Sequence, residues 1–143
     1  MPKTVRDAMS REVRTAAPTD WVVDAAQTMK DEDVGSVPVV DGEHLVAILT
    51  DRDIVMRTVA ARVDPGTVRV GEIATSELVT IGPDQSLEEA AELMGRNQVR
   101  RLPVVEDGRL VGMLAQADVA LAAEEVDAGE MLAEISHDGD EKS

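Results

Sequence analysis

The chain carries one segment twice, and the two copies are separated by a constant 65 positions, as from Asp53 to Asp118. Among the 49 aligned pairs that begin with Val5 and Val70 and end with those two aspartates, 15 are identical. Most identities fall on apolar, proline and turn positions, which carry a fold, whereas the shared aspartate is a polar exception. Two copies are too few for a solenoid. The repeat therefore predicts a pseudo-symmetric pair of halves with a central cleft, to which each half offers an equivalent site.

The composition limits both the core and the chemistry. The 143 residues include no phenylalanine, tyrosine or cysteine, and Trp21 is the only tryptophan. The core must therefore consist of aliphatic residues and methionine, and disulfides, thiolate zinc sites and cysteine nucleophiles are excluded. The sequence contains no run of about 18 apolar residues that could span a membrane, and the first residues lack the apolar stretch of a signal peptide. These features predict a cytoplasmic protein without a membrane partner.

The formal net charge of -15 bears on the choice of partner. Nucleic-acid binding depends on lysine and arginine side chains that neutralise phosphates. We therefore expect no nucleic-acid partner for so acidic a chain. Solubility and self-repulsion are the simplest consequences of the excess of carboxylates.

Local patterns predict the same order of elements in each half. Apolar residues follow helical spacing after Pro18, where Thr19 or Asp20 would cap a helix, and Ser86 to Glu89 form a capping box. Two valine- and leucine-rich stretches then flank an Asp-Gly turn, which is typical of a β-hairpin. A second helix follows, in the first half from about residue 51 to residue 61. The predicted fold class is mixed α/β, with two β-α-β-β-α repeats packed as a pseudo-two-fold pair.

The same patterns predict the domain boundaries. The first repeat, with a short helical lead-in and a brief strand at Val13–Thr15, occupies residues 1–62, and a linker follows at 63–69. The second repeat occupies residues 70–125. Residues 126–143 form an acidic tail, which we expect to be flexible because little in it is apolar.

No constellation of residues points to an enzyme. The two histidines, His44 in a hairpin turn and His137 in the tail, lack the serine and aspartate pattern of a catalytic triad. No phosphate-binding glycine loop follows a strand. Asp51 and Asp53 flank an arginine at a helix start, where carboxylates are more often solvated or capping than metal-binding. We therefore expect neither catalysis nor a metal site.

The polar exception of the repeat lies in a short motif. Residues 47–53 read Ala-Ile-Leu-Thr-Asp-Arg-Asp and residues 112–118 read Gly-Met-Leu-Ala-Gln-Ala-Asp, so each copy places an aspartate at a helix start just after a strand. This resembles the Gly-x-x-Thr/Ser-x-x-Asp motif of the CBS (cystathionine β-synthase) domain family. The order of elements, the Val-Pro-Val-Val strand, the Asp-Gly turn and the tandem pairing are also similar, over about residues 5–122.

The resemblance implies a free-standing pair of CBS domains that binds an adenine nucleotide or a related adenosyl ligand in the cleft between the repeats. In the family, the motif aspartate bonds the ribose hydroxyls, and the threonine or serine contacts ribose or phosphate. These roles carry over to Asp53 and Thr50 in the first copy, and to Asp118 alone in the second, since Ala115 has no hydroxyl. Ala47 also replaces the motif glycine. Because the first copy nevertheless keeps both polar residues of the motif, we expect the first site to be the stronger one.

Elementary chemistry supports this site and also offers a simpler explanation. A carboxylate can accept from two vicinal hydroxyls, as the edge of a ribose requires, and Val37-Pro38 and Leu102-Pro103 could wall an apolar slot for adenine. The spacing from Thr50 to Asp53 is equally a capping-box pattern, which opens many helices that bind no ligand. Because the second copy lacks the capping hydroxyl, we expect that capping does not explain Asp118.

Positive charge is concentrated in the second copy. Arg96, Arg100 and Arg101 lie within six positions and Arg109 lies across the hairpin turn, whereas the first copy has no arginine or lysine at the equivalent positions. We hypothesise that Arg100 or Arg101 reaches a phosphate in the cleft, because the guanidinium fork bonds phosphate bidentately. For any single arginine, a solvated position paired with neighbouring carboxylates is the simpler interpretation.

Two functional hypotheses follow. The first is a regulatory module that senses an adenosyl ligand, with AMP, ADP or ATP ranked ahead of S-adenosylmethionine and NAD, and signals to an unknown protein partner. The second is a nucleotide-independent interaction or stress-associated protein whose incomplete motifs mark a lost site. Neither requires a cofactor. The resemblance also implies a homodimer, since CBS pairs usually associate into a flat disc, which would bury apolar helix faces.

Overall fold

The computed structural model describes residues 3–124. The first half contains the helices α1 (Val5–Ala8), α2 (Val22–Glu32) and α3 (Asp51–Ile54) and the strands β1 (Ser36–Asp41) and β2 (His44–Thr50). The second half contains the helices α4 (Val70–Ile73), α5 (Leu87–Asn97) and α6 (116–124) and the strands β3 (Arg101–Glu106) and β4 (Arg109–Ala115). Helices α1 and α2 and both strands of the first half return 65 residues later with the same length, which confirms the predicted pair.

The four strands form one sheet in the order β1-β2-β4-β3, to which each half contributes an antiparallel hairpin. The hairpins meet through β2 and β4 at His44 and Arg109, which are equivalent residues of the two copies. Equivalent residues that pair with each other lie on the symmetry axis, so the pseudo-two-fold axis passes between them. The turns contain Gly42 (φ 67°) and Gly108 (φ 79°), in a backbone region that glycine enters without steric cost, as the Asp-Gly pattern predicted.

The predicted first strand of each half is reduced to isolated pairings. Ser10 pairs with Met113 of β4, but Ala16 pairs with Val39 of β1, so this segment changes its partner strand within six residues. The equivalent segment of the second half makes the same change, pairing first with β2 and then with β3. A segment that crosses between two hairpins cannot accumulate a run of ladder hydrogen bonds. Val13–Thr15 therefore forms no strand, in contrast to the prediction.

The one-turn helices α1 and α4 are exchanged between the halves. Val5 of α1 is fully buried in the core of the second half, and Val70 of α4 is fully buried in the core of the first. Backbone hydrogen bonds fix both helices, since the N–H of Val5 donates to the carbonyl of Gln85 (2.9 Å) and the N–H of Val70 donates to the carbonyl of Asp20 (2.8 Å). Each half therefore completes its core with a helix from the other, which couples the stability of the two.

Two aliphatic cores, one in each half, hold the strands against the helices. The first core includes Val22, Met29, Val37, Val39 and Leu49. The second core includes Ala90, Met94, Leu102, Val104 and Leu114. These are the side-chain types that the composition predicted for the interior.

The helix starts follow the predictions in part. Ser86 caps α5, since its Oγ accepts from the N–H of Glu89 at 3.1 Å. Helix α2, however, has Trp21 at its N-cap, without a side-chain hydrogen bond. The carboxylate of Asp20 accepts instead from the N–H of Ala17 (2.8 Å) in the turn before the helix. Asp20 therefore stabilises the turn before α2 instead of capping the helix as the pattern predicted.

The second helix of the first half keeps α winding only through Ile54, although the pattern predicted that it would run to about Ala61. It continues as a π turn at Val55–Val59, in which the N–H of Ala60 donates to a carbonyl five residues earlier (2.8 Å). Arg62, with φ 60°, ends the helical path.

None of the helices within residues 3–124 has the length and hydropathy needed to cross a lipid bilayer. The tail predicted at residues 126–143, including His137, lies outside the described residues.

Candidate functional site

Asp53 stands at the start of α3, directly after β2. Its N–H donates to Thr50 Oγ1 (3.0 Å), and its carboxylate Oδ2 accepts from the N–H of Thr50 (3.0 Å). This reciprocal pair is a capping box, so the simpler explanation that the sequence offered is present in the structure. The cap also fixes both side chains at the end of the strand, where the motif requires them.

A third residue joins this pair from the other half. Thr75 Oγ1 donates to the carboxylate of Asp53, at 3.2 Å from Oδ1 and 3.3 Å from Oδ2. Two backbone hydrogen bonds of 2.9 Å with Ile48 of β2 hold Thr75 in this position. Sequence reasoning did not single out Thr75. The one available signal was a hydroxyl side chain at the equivalent position of both copies, Ser10 and Thr75.

The cluster of Asp53, Thr50 and Thr75 suits a ligand that carries two adjacent hydroxyls. A carboxylate has about four acceptor positions, and the N–H of Thr50 and the hydroxyl of Thr75 supply two donors. Acceptor capacity therefore remains for two further donors. The hydrogen bonds of the cluster are partly buried, where such bonds are stronger than in bulk water.

Asp118 has fewer partners than Asp53. Its Oδ2 accepts from the N–H of Ala115 (2.9 Å), so the carboxylate half of the capping box survives without the hydroxyl. The expectation that capping does not explain Asp118 is therefore wrong. Ser10, the equivalent of Thr75, donates to the carbonyl of Glu12 (3.4 Å) instead of to Asp118. The first site thus joins a carboxylate to two threonines, which the second site does not reproduce.

Arg101 lies between the two halves. Its Nη1 donates to the carbonyl of Ser36 (3.2 Å). Ser36 and Arg101 are equivalent positions of the two copies, so this contact lies at the pseudo-two-fold axis. Partial burial lowers the pKa of Arg101 from its ordinary value, and the attraction of Asp118 opposes that shift. An arginine stays protonated despite such a shift, so the cleft contains a cation that is electrostatically coupled to the second-site carboxylate.

The other arginines of the predicted cluster are dispersed. Arg96 pairs with Glu92 (2.9 Å) along α5, and Arg109 pairs with Glu43 (3.5 Å) between the hairpin turns. These two follow the simpler interpretation, an exposed ion pair with a neighbouring carboxylate. Arg100 is exposed at the residue before β3. Arg100 and Arg101 therefore remain the candidates for a phosphate.

The residues predicted to wall an adenine slot divide into two sets. Val37 and Leu102 are buried in the two cores, on the strand faces that pack against helices. Their side chains are already occupied by core packing and are not available to a ligand in this conformation. Pro38 and Pro103 are also buried, but they lie on the opposite faces of the same strands, since neighbouring side chains alternate. The prolines face away from the helix-packed cores and so remain the candidates for the slot, which would have to open, since Pro38 is fully buried.

The departure of Ala47 from the motif glycine has a packing explanation. A Cβ at Gly112 would lie 2.7 Å from Met9 Sδ and 2.8 Å from the carbonyl oxygen of Ser10, closer than real Cβ contacts. The counterpart of Met9 in the second copy is Ala74, which packs against the core that contains Ala47. The smaller neighbour leaves space for the larger motif residue. Ala47 is therefore not by itself a sign of a lost site.

Two cavities differ in size and in the residues that line them. One of about 400 Å³ is lined by Arg11, Val13 and Thr15, by the turn between β1 and β2, and by the first residues of β4. The other, of about 130 Å³, lies beside Asp118 and is bordered by Lys3 and Leu121. Small-molecule sites usually have volumes of about 300–1,000 Å³. The space beside Asp118 is below that range, and the larger cavity is not lined by Asp53, Thr50 or Thr75, so the two volumes do not rank the sites.

Within residues 3–124, no group of three or more histidine, cysteine, aspartate or glutamate side chains is arranged to hold a metal ion. His44 lies at the start of β2, where it pairs with Arg109. The structure therefore gives no residue set from which a metal centre could be argued.

Comparison with known proteins identifies the two halves. The family model of the CBS domain matches residues 5–59 and again residues 70–125. The chain is 42% identical over 135 residues to the CBS domain-containing protein YhcV of Bacillus subtilis, a match that covers 94% of this chain and 96% of that protein.

Two solved structures share the fold. The crystal structure of Hypoxic Response Protein I with two coordinated zinc ions has 38% identity and a TM-score of 0.75, and covers 82% of this chain and 97% of that chain. The crystal structure of CBSX2 in complex with AMP has 28% identity and a TM-score of 0.75, and covers 87% and 98%. With the paired order of elements, these matches show that the chain belongs to the CBS domain family and carries one CBS domain in each half.

Proposed function

We propose that this protein is a regulatory module that binds an adenine nucleotide, or a related adenosyl ligand, in the cleft between its two CBS domains. The observation that carries the proposal is the meeting of Asp53, Thr50 and Thr75, from both halves, at one partly buried point. The similar protein CBSX2 has been crystallised with AMP, which supports the same ligand class here. We propose a sensing role and not catalysis.

In the proposed complex, the carboxylate of Asp53 accepts hydrogen bonds from the two vicinal hydroxyls of the ribose. A hydrogen bond to a charged group stabilises by about 1.5–3 kcal/mol, so this pair contributes much of the nucleoside affinity. Thr75 holds the carboxylate through its hydroxyl and so fixes its orientation before the ligand arrives. A site that is already oriented loses less entropy on binding.

The phosphate of the ligand is proposed to contact Arg101, with Arg100 beside it. The guanidinium of Arg101 already reaches across to the first half, on the carbonyl of Ser36. Ser36 pairs with Thr50 in the sheet, so we expect the cation to be close to the first site. A phosphate is the better partner, because it carries charge and can accept two parallel N–H···O bonds from the planar guanidinium.

Self-association is part of the proposal. Val55, Met56 and Val59, on the continuation of α3, and Leu121 of α6 are each more than half exposed. We propose that a second copy of the chain covers these side chains in a homodimer. Ligand binding would shift this dimer between alternative states, and so signal to a protein partner. The size of the shift is set by the difference in affinity of the ligand for those states.

A nucleotide-independent interaction module is the second candidate. It is favoured by the second site, where Ala115 lacks the hydroxyl, Ser10 bonds Glu12, and only a small cavity adjoins Asp118. In that case, the cluster at Asp53 would be a helix cap alone, and the exposed apolar face would be the functional surface.

Thermal unfolding with a panel of adenosyl ligands separates the two. AMP at 100 times its dissociation constant should stabilise the native wild type by about 2.7 kcal/mol, and Asp53→Ala should remove that shift. Because Asp53→Ala also removes a helix cap, which costs about 0.5–2 kcal/mol, a matched control is needed. Glu72→Ala removes an equivalent capping carboxylate, on the N–H of Arg69 at the start of α4 (2.7 Å), and should keep the AMP shift.

The proposal fails if AMP, ADP, ATP, S-adenosylmethionine and NAD at millimolar concentration all leave the unfolding temperature of the wild type unchanged. That result would favour the interaction module. A shift that survives in Asp53→Ala would place the ligand elsewhere.

A further inference from the structure

The backbone changes its winding directly after the candidate site. Helix α3 is a single α turn that starts at the cap of Asp53, and the next turn, Val55–Val59, is a π turn closed by the hydrogen bond from Ala60 to Val55 (2.8 Å). In the other half, residues 116–124 continue after the motif as an α-helix. Single π turns are rare and are frequently found at functional sites. The asymmetry falls in the half that has the more complete site.

A buried side chain contacts the carbonyl at the start of the π turn. Thr58 is the one buried polar residue within residues 3–124, and its hydroxyl donates to the carbonyl of Ile54 (2.5 Å). In an α-helix this carbonyl would accept from the backbone N–H of Thr58, four residues later. The hydroxyl can weaken the bond that α winding needs, an effect that bends helices, whereas Thr28 makes the longer bond of the same kind to Asp24 (3.3 Å) inside the regular helix α2.

The turn also has space in which to move. A groove of about 320 Å³ runs between α2 and this turn and is bordered by Met29, Val34, Ile54 and Val55. The outward side chains of the turn, including Met56 and Val59, are more than half exposed. Apart from Thr58, the turn lies between a groove and solvent, as is typical of the less stable parts of a structure, from which moving elements are drawn.

We propose that the turn Val55–Val59 is a two-state element that rewinds from π to α when a ligand binds at Asp53, and so transmits binding to the face that a second copy covers. The inference rests on the proposed function. Asp53 is two residues from Val55 and its carboxylate caps α3, so a ligand that bonds the free acceptor positions of this carboxylate acts at the helix start. Two sites are coupled when both bias the same two-state element.

The geometry gives the transition a definite consequence. A π turn closes hydrogen bonds over five residues instead of four, so it contains about one residue more than an α turn. On rewinding, the extra residue passes out of the turn to the end of the helical segment, which rotates one end of the segment against the other by about 100°, the angle per residue at 3.6 residues per turn. A different set of side chains would then face the second copy in place of Val55, Met56 and Val59. Self-association should therefore depend on the ligand.

Three measurements test the proposal, with AMP as the probe. Isothermal calorimetry measures AMP binding, hydrogen exchange measures the amides of residues 54–62, and analytical ultracentrifugation measures the self-association constant. In the wild type, AMP should change the exchange of the turn and should change the self-association constant by about fivefold or more, the lower range of allosteric coupling.

Two variants shift the element without touching the site. Deletion of the exposed Arg57 removes the extra residue of the π turn and so favours α winding, and Arg57→Ala is its matched control of unchanged length. Thr58→Val removes the competing hydroxyl at similar volume and serves if the deletion does not fold. The deletion and Thr58→Val should show the AMP-bound exchange pattern without AMP, and should lose most of the AMP effect on self-association. Arg57→Ala should behave as the wild type.

The outcomes are distinguishable. If calorimetry shows that AMP binds but neither the exchange of residues 54–62 nor the self-association constant changes, the inference is wrong and the proposed function stands. If no adenosyl ligand binds, both are wrong. If Arg57→Ala and the deletion respond alike, the winding of the turn is not the coupled element, and the inference is again overturned.

Discussion

Thr75 Oγ1 lies 3.2 Å from Asp53 Oδ1, although 22 positions separate the two residues along the chain. The contact joins the segment that enters the second CBS domain to the motif of the first. A carboxylate at a helix start is common, but a hydroxyl from the other domain that is held on the same carboxylate defines a composite site. The first candidate site therefore depends on the correct packing of both domains.

Thr75→Val should weaken AMP binding by about tenfold, which corresponds to about 1.4 kcal/mol, because it removes the hydroxyl that orients the carboxylate. Helix α3 should keep its cap, since Thr50 is unchanged. Calorimetry on Thr75→Val and on Ser10→Ala measures this. Ser10 is the equivalent residue, but its hydroxyl bonds Glu12, so its loss should leave AMP affinity within error. Equal losses in the two variants would contradict the preference for the first site.

Arg101→Ala should weaken AMP binding and spare adenosine. The guanidinium is the cation that the structure places at the pseudo-two-fold axis, and adenosine has no phosphate for it to bind. Competition binding with both ligands measures the ratio of the two affinities, and Arg96→Ala, which loses only an exposed ion pair with Glu92, is the control. A similar loss for adenosine and AMP would show that Arg101 acts through folding and not through phosphate.

The capping carboxylate of Asp7 predicts a defined pH dependence. The N–H and hydroxyl of Thr4 donate to it, and these bonds lower the pKa of Asp7 below its ordinary value of 3.8. Because the folded pKa is below the unfolded pKa, the stabilisation by Asp7 is present at pH values above about 4 and is lost as the pH falls through the folded pKa.

Asp7→Asn should therefore lower the unfolding temperature at neutral pH, and the difference from the wild type should shrink as the pH falls below about 4. Unfolding curves of both proteins between neutral and acidic pH measure this. Asp31→Asn, at an exposed carboxylate near the end of α2, provides a control for the loss of one charge. A difference that grows towards acidic pH would show that the sign of the linkage is wrong.

The exchange of α1 and α4 predicts that distant truncations destabilise alike. Val5→Ala and Val70→Ala each remove a fully buried side chain from the core of the opposite half. Each should lower the free energy of unfolding by about 1.5–3 kcal/mol, the usual contribution of a buried valine. Both variants should still unfold in one transition in urea, since each half needs the helix of the other. Two separate transitions in either variant would contradict this coupling.

The sequence by itself determined much of the architecture, because the decisive signals are local. The repeat, the hairpins with Gly42 and Gly108, the aliphatic cores and the cap of Ser86 all depend on residues a few positions apart or on composition. The capping box of Thr50 and Asp53 was readable for the same reason, since its partners are three residues apart.

Only the tertiary structure decided which side chains meet across the domains. It brought Thr75 to Asp53 and Arg101 to Ser36, and it buried Val37 in a core instead of a ligand slot. It also showed that the carboxylate of Asp118 still accepts from the N–H of Ala115, although Ala115 lacks the capping hydroxyl. These contacts result from how the two hairpins meet in one sheet and from the exchange of α1 and α4 between the halves. The spacing of residues within one copy does not predict that geometry. The repeat implied a symmetric pair, but the contact between Thr75 and Asp53 and the π turn after Asp53 make the two sites different.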